Sequence, residues 1–315
     1  MRARLTPPER QRGAALLVAM IIVTLIVTLT ASMVWQQWRA VQVETVERAR
    51  AQSAWILSGA LDWARLILRE DARAGGPDHL GEPWAVPLAE ARLSTFLAAD
   101  KNNAADAPEA FLSGHIGDAQ ARYNLANLVG SKGQIDPNEL ARLERLCQTA
   151  GIETGVAARI ANGLHDATAT TDANAPLLPT TLAQLAWLGI DASALRALAP
   201  YVVLLPTPTP INVNTASREV LAAVIDGLDM ASAERLVQLR QRTPFRSLTE
   251  FNAQITALAP ISARLDVRSS FFEVAGRLRL DDRVLEERSL VQRLNGGQTQ
   301  VIERERISSR EQSGS

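Results

Sequence analysis

The first strong pattern along the chain is an apolar run. Residues 14–34 read AALLVAMIIVTLIVTLTASMV, with no charged side chain. About 21 residues at 1.5 Å rise match the roughly 30 Å hydrocarbon core of a bilayer, so the run predicts a membrane-spanning helix. Thr24, Thr28, Thr30 and Ser32 fit such a helix, because their hydroxyls can bond back to helix carbonyls. Trp35 and Trp38 fall where an interfacial aromatic belt lies. No Gly or Pro interrupts residues 14–58. Beyond the span, Val46, Ala49, Ser53, Ile56, Ala60, Trp63 and Ile67 recur at spacings of three and four, which places them on one stripe of a continuing helix. Glu44, Glu47, Arg48, Asp62, Arg65 and Arg69 lie off that stripe. One helix is expected from about Ala14 to about Ala72, ended by Gly75-Gly76-Pro77. Val46, Ala49, Ile56, Ala60, Trp63 and Ile67 form its expected packing interface.

After this helix the pattern changes several times. Residues 75–106 look loop-rich, with a short helix near 88–99. Residues 136–201 read as helices. Asp136 is placed to cap the first, with Pro137 in its opening turn. Leu140, Leu143, Leu146 and Cys147 give that helix an apolar face, and Leu182, Leu185, Leu188, Leu195 and Leu198 mark two more. Pro206 to Ile211 alternate proline with threonine and read as a stiff linker or extended strand. Thr215 or Asn214 can cap a helix starting near Ala216, a second follows Asp229, and Thr243-Pro244-Phe245 opens a third. From Arg268 the period becomes two: Phe272, Val274, Gly276, Leu278 and Leu280 alternate with Phe271, Glu273, Ala275, Arg277 and Arg279. Asp281-Asp282 and Asn295-Gly296-Gly297 are turn signals, so three antiparallel strands close the chain. A strand near Arg122 is expected to join them.

Charge orients the helix. Arg2, Arg4, Arg10 and Arg12 precede the span against one acid, Glu9, so the N-terminus stays cytoplasmic and the bulk is exported. The competing reading is a signal peptide cut near Leu29-Thr30-Ala31. The run exceeds the usual h-region of about 7–15 residues and passes straight into more helix. Net charge is −1, so no global attraction to nucleic acid exists. Cys147 is the only cysteine, which excludes an intramolecular disulfide. His79, His115 and His165 have no partner at metal-ligand spacing. No catalytic motif is present. The adjacent acids Asp281-Asp282 and Glu286-Glu287 should point to opposite faces of a strand, poor geometry for shared acid–base work. The sequence argues for a non-enzyme.

Three segments carry a family resemblance. Arg10-Gln11-Arg12-Gly13 followed by Ala14-Ala15-Leu16-Leu17-Val18 resembles the leader and mature start of type IV pilin-like proteins. The resemblance implies cleavage by a prepilin peptidase between Gly13 and Ala14, and methylation of Ala14. Most such proteins carry a glutamate at the fifth mature position, and here that position is Val18. This departure, with the chain's size, is similar to the K subunit of the type II secretion pseudopilus (GspK). A carboxylate at membrane depth is costly unless paired, so a subunit with no earlier neighbour does better with an apolar residue. Arg122, Tyr123, Asn124, Leu125, Asn127 and Leu128 match a second signature of that family. Ile211 to Leu221 resembles a third, and also a helix-hairpin-helix of the competence DNA-receptor type, with Asn212, Asn214, Thr215 and Gly227 as motif residues.

The resemblance implies an α+β fold: a type IV pilin-like long N-terminal helix packed on an antiparallel sheet, with a large inserted helical domain containing the helix-hairpin-helix-like module. It implies a leader 1–13, a transmembrane helix 14–35, pilin-like parts 36–129 and 266–307, an inserted helical domain 130–205, the hairpin module 206–265 and a disordered tail 308–315. Function is expected at the tip of the pseudopilus, initiating and capping its assembly for export of folded proteins across the outer membrane. The chain would sit in the bacterial inner membrane by one pass, its C-terminal domain periplasmic. Expected partners are the minor pseudopilins I and J, other pseudopilins, the prepilin peptidase and the inner-membrane assembly platform. Calcium is associated with the family, and Asp166 and Asp172 are its weak candidates here. The alternative function is a membrane-tethered DNA-binding protein of a competence or type IV pilus system. The turn Asp226-Gly227-Leu228-Asp229 argues against it, because two carboxylates flank the place where phosphate would sit.

Overall fold

The computed structural model describes residues 12–93, 110–130, 133–168, 175–255, 263–280 and 283–310. The chain divides into two units, Met1–Ile56 and Leu57–Ser315. One helix, α1 (Arg12–Ala74), supplies all of the described first unit and opens the second. It ends where the sequence placed the break: Gly75 and Gly76 adopt φ of 70° and 120°, a region other residues avoid.

In the second unit, residues 57–74 of α1 cover a five-stranded sheet. Its strands are β1 (Leu88–Arg92), β2 (Ala110–Asp118), β7 (Phe271–Leu280), β8 (Arg283–Arg293) and β9 (Thr299–Arg310), hydrogen-bonded in that order and antiparallel throughout. The three closing strands lie as the period-two pattern predicts. Two expectations change. Residues 88–92 form a strand rather than a helix, because pairing with β2 overrides a weak local preference. β9 runs on to Arg310, into the stretch expected as a tail, because Arg310 pairs with Arg283. Residues 94–99, Asp281-Asp282 and 311–315 lie outside the described residues.

The helix-on-sheet core is Leu61, Ala64 and Leu68 against Phe272, Val274 and Val291, with Trp84 set edge-on to Phe272 at 5.3 Å. Gly276 allows close approach: a Cβ there would lie 3.1 Å from the Leu57 side chain. As the face that packs on this sheet, the expected stripe is off by one residue. Leu57, Leu61, Ala64 and Leu68 are buried, Ala60 and Ile67 flank them, and Trp63 is 54% exposed. Both rows obey three–four spacing, so periodicity alone cannot choose between them. The sheet takes the row richer in leucine. Leu68→Ala is expected to cost about 2–5 kcal/mol by leaving a cavity between helix and sheet. Chemical denaturation of the full chain in detergent checks this, and a loss under about 1 kcal/mol would mean the core is not packed as described.

The large insertion leaves at the end of β2 and returns at the start of β7, where Asp118 pairs with Phe272. It holds helices α2 (Pro137–Thr149), α3 (Gly155–Thr168), α4 (Ala192–Leu198), α5 (Arg218–Val224), α6 (Met230–Arg242) and α7 (Leu248–Asn252). Asp136 caps α2, as expected; Asp229 caps α6, the helix expected to follow it; and Ser217 rather than Thr215 or Asn214 caps α5. One hydrophobic core runs through the region, joining Leu143, Ile160, Leu198 and Val202 to Val213, Val220, Leu236 and Phe251. The segments on either side of residues 205 and 206 therefore share a single core. The strand expected near Arg122 also moves. Tyr123–Asn124 (β3) pairs in parallel with Val202–Val203 (β4) inside the insertion, and β2 just upstream takes the place in the large sheet. A second small pair, Ile211–Asn212 (β5) with Leu265–Asp266 (β6), closes the insertion.

Candidate functional site

The membrane-length part of α1 is bare. Residues 14–45 are exposed throughout, and the apolar window within the helix is 0% buried with a mean hydropathy of 2.7. The helix is long and apolar enough to cross a membrane. Thr28 and Thr30 return their hydroxyls to Leu25 and Ile26 carbonyls at 2.9 and 2.7 Å, and Thr24 does the same to Met20, so these polar side chains leave no unsatisfied donor on the apolar helix. Ala14 and Val18 are exposed, and Gly13 lies within the helix. The Arg39 guanidinium sits 5.3 Å over the Trp35 ring, the aromatic-plus-cation grouping of a membrane–water boundary. In the first unit, Val46, Ala49 and Ile56 of the expected stripe are half-buried.

Where α1 ends, the fold gathers charge. Asp71 on the last turns of α1, Asp78 after the glycines and Glu82 bring carboxylate oxygens within 4.8 Å of one another. Among the described residues this is the one such grouping of three, and Arg293 at the end of β8 fills it. Its guanidinium lies 2.8 Å from Asp71 and 2.6 Å from Asp78, donates to the Ser269 carbonyl and covers the Phe272 ring. Glu82 accepts from the Trp84 indole and the His79 amide, both at 2.8 Å. Burial raises the carboxyls of Asp71 and Asp78 above the ordinary range, and neighbouring Glu82 adds to the rise at Asp71. These residues fit a guanidinium, and a calcium ion would have to displace it. Of the expected calcium candidates, Asp166 pairs with His165 at 3.0 Å on an exposed part of α3, and Asp172 lies outside the described residues.

Next to this group sits a buried hub. Asp118 ends β2, and its Oδ2 accepts from the Asn212 amide at 3.0 Å and from the Thr215 and Ser269 hydroxyls at 2.6 Å each. Its Oδ1 accepts from the Gln120 amide. The Asn212 amide also reaches the Asp78 carbonyl and Ser269 Oγ, and Asp78 accepts from the Ser269 amide. Sheet, helix end and insertion are thus bolted through one set of side chains. Burial raises the Asp118 carboxyl in spite of these donors. The folded chain therefore holds this proton at a pH where the unfolded chain has released it. That contributes stability as pH falls from neutral toward about 4, and is lost as pH rises through the raised value. The stability of wild type minus that of Asp118→Asn is expected to grow on acidification across this window, as read by urea unfolding at several pH values. A constant difference would contradict it.

The second signature is a backbone clamp. Asn127 both donates to and accepts from the Thr209 backbone at 3.0 Å, as a neighbouring strand would. Asn124 donates to the Thr207 carbonyl and accepts from the Leu205 and Ala126 amides. The prolines at 206, 208 and 210 leave the segment short of donors, and these two side chains complete its pairing. Tyr123 donates to the buried Glu139, which Arg142 neutralises at 2.9 Å, and Arg122 pairs with Glu273 at 2.5 Å.

Three of the four hairpin motif residues face inward, and Gly227 lies exposed in its turn. Asn212, Asn214 and Thr215 are 0%, 2% and 7% exposed, and Asn214 clamps the Phe245 backbone with both ends of its amide at 2.9 Å. None of these three side chains is available to a nucleic acid. Gly227 makes the turn between α5 and α6 with φ 80°. Asp226 in that turn pairs with Arg145 at 2.7 Å, and Asp229 accepts from the Ser232 amide, so both anions are engaged within the fold.

Sequence reasoning missed Arg293, Asp71, Asp78, Asp118 and Ser269. Their partners across the fold lie 24 to 222 residues away, beyond the reach of periodicity. The one signal was local: acids flanking the glycines that end α1, and an acid before Gln120.

Two family models, both described as protein K of the type II secretion system (T2SS), match residues 121–207 and 211–268. Type II secretion system protein K of Pseudomonas aeruginosa is 28% identical over 326 residues, covering 94% of this chain and 92% of the relative. The chain is similar, over nearly its whole length, to type II secretion system protein K. Protein K of Pectobacterium carotovorum subsp. carotovorum is 29% identical, over 94% of this chain and 97% of the relative. A crystal structure of the GspK-GspI-GspJ complex from the enterotoxigenic Escherichia coli type 2 secretion system aligns with a TM-score of 0.62. It covers 84% of this chain and 98% of the matched chain at 20% identity, and that likeness establishes the pilin-like α+β fold with its helical insertion.

Proposed function

We propose that this chain is a minor pseudopilin at the tip of a type II secretion pseudopilus, where it initiates and caps assembly for the export of folded proteins. Its leader would be removed between Gly13 and Ala14 by a prepilin peptidase, with Ala14 methylated. It would sit in the bacterial inner membrane by α1, N-terminus cytoplasmic and folded domain periplasmic, engaging the inner-membrane assembly platform. The observation that carries this reading is α1 itself: residues 14–45 are uncovered all round, and the fifth position after Gly13 is the apolar Val18. An uncovered apolar helix needs lipid or sibling helices, and one without a carboxylate has no need of an earlier neighbour to neutralise it. Val46, Ala49 and Ile56 of the first unit lie on one helix stripe and offer a surface for side-on helix packing. The E. coli structure that shares the fold is of a complex with GspI and GspJ, which supports minor pseudopilins I and J as partners here.

Co-expression of the full chain with the I and J pseudopilins of the same system tests the reading. A stoichiometric complex surviving purification in detergent is expected. Failure to assemble, together with a shift of duplex DNA whose affinity falls steeply with salt, would replace it by the DNA-receptor reading.

A further inference from the structure

β9 is the last strand of the sheet, 12 residues long, and its sequence TQVIERERISSR contains no proline. Among the described residues no strand pairs with its outer edge. A long free edge is a template for another strand, and folded proteins usually blunt it.

The charges along this edge are sorted by face. Arg304 lies opposite Ser289, which lies opposite Val274 of the helix-covered core, and Arg306 lies opposite Glu287. Both arginines therefore sit on the face that α1 covers. Glu303 and Glu305 occupy the other face, opposite Leu290 and Arg288. On the helix side one carboxylate serves two guanidiniums: Glu287 lies 3.3 Å from Arg304 and 2.5 Å from Arg306. That face keeps a positive surplus. On the outer face burial raises the Glu303 carboxyl, and the Glu305 charge raises it further. Ile302 and Ile307 are 37% and 42% exposed along the same strand.

This sorting decides what the edge accepts. When two copies pair antiparallel about a two-fold axis, residues directly opposite each other share a face. In any register overlapping residues 303–306, glutamates then oppose glutamates and arginines oppose arginines, which is destabilising. A strand of complementary alternation meets an opposite charge at every such position. It also completes the main-chain ladder. We propose that the free edge of β9 takes up a strand from a different polypeptide, one carrying basic residues along the sheet's outer face and acidic residues along its helix-covered face. The same alternation keeps two copies of this chain apart.

Hydrogen exchange read by mass spectrometry tests this on the full chain in detergent. The probe is an end-blocked eight-residue peptide alternating lysine and glutamate. Its control has the same composition with all lysines before all glutamates. The alternating peptide is expected to slow exchange within residues 299–310 saturably, and the block-ordered peptide to have little effect. The double variant Glu303→Lys and Glu305→Lys is expected to weaken binding about tenfold, since two favourable cross-strand pairs become repulsive. Equal protection by both peptides, no protection of 299–310, or a concentration-dependent homodimer protecting that edge in the free chain would each overturn the proposal. The two-peptide comparison uses wild type alone, so it decides even where the variant misfolds.

Discussion

Arg293→Ala is expected to destabilise the folded domain by about 3–5 kcal/mol, lowering the thermal midpoint by roughly 10 °C. The guanidinium is 11% exposed and is the shared counter-ion of Asp71 and Asp78, whose side chains are 12% and 3% exposed. Removing it leaves two carboxylates in a crowded site with Glu82 beside them. It also strips a hydrogen bond from the Ser269 carbonyl and a cation from the Phe272 face. Mutual repulsion should push the end of α1 away from β8, so the loss is larger than that of an exposed ion pair, worth about 0–1 kcal/mol. Adding Asp78→Asn to the variant should restore part of the loss, because it removes one uncompensated charge. Thermal unfolding by circular dichroism checks both. A loss below about 1 kcal/mol would mean that water or an ion replaces the arginine without cost.

Asn212→Ala should cost about 3 kcal/mol and leave the chain's response to duplex DNA unchanged. The side chain is fully buried and its amide serves three acceptors, the Asp78 carbonyl, Asp118 and Ser269. Its removal leaves the Asp118 carboxylate short of a donor, and unmet buried polar groups cost about 1–3 kcal/mol each, more where a charge is involved. The insertion is tied to the sheet through this hub, so limited proteolysis should cut the variant faster near residues 119–123 and 263–270. A stable variant with altered DNA binding would instead make Asn212 a surface contact, contrary to its burial.

These two residues mark the limit of what the chain alone discloses. The membrane-length helix, its end at Gly75, the cap at Asp136 and the closing strands were legible, because each rests on residues within a few positions of one another. The row of α1 that meets the sheet was not, because Leu57-Leu61-Ala64-Leu68 and Ile56-Ala60-Trp63-Ile67 carry the same spacing. The strand at Leu88–Arg92 was hidden because its order comes from β2. Asn212, Asn214 and Thr215 were recognisable as a motif, but a DNA-type hairpin and an internal clamp share the same letters. Only burial and partners separate them, and they make these residues structural. Asn124 and Asn127 tell the same story: the signature was visible, and its purpose needed the proline-rich segment 82 to 85 residues away.

The proposal that α1 is a retained anchor beginning at Ala14 is tested most directly by the intact mass of the protein recovered from cells carrying a prepilin peptidase. A membrane-bound polypeptide starting at Ala14, heavier by one methyl group, is the expected result. A soluble polypeptide starting near residue 31, or a membrane-bound one still carrying residues 1–13, would contradict it.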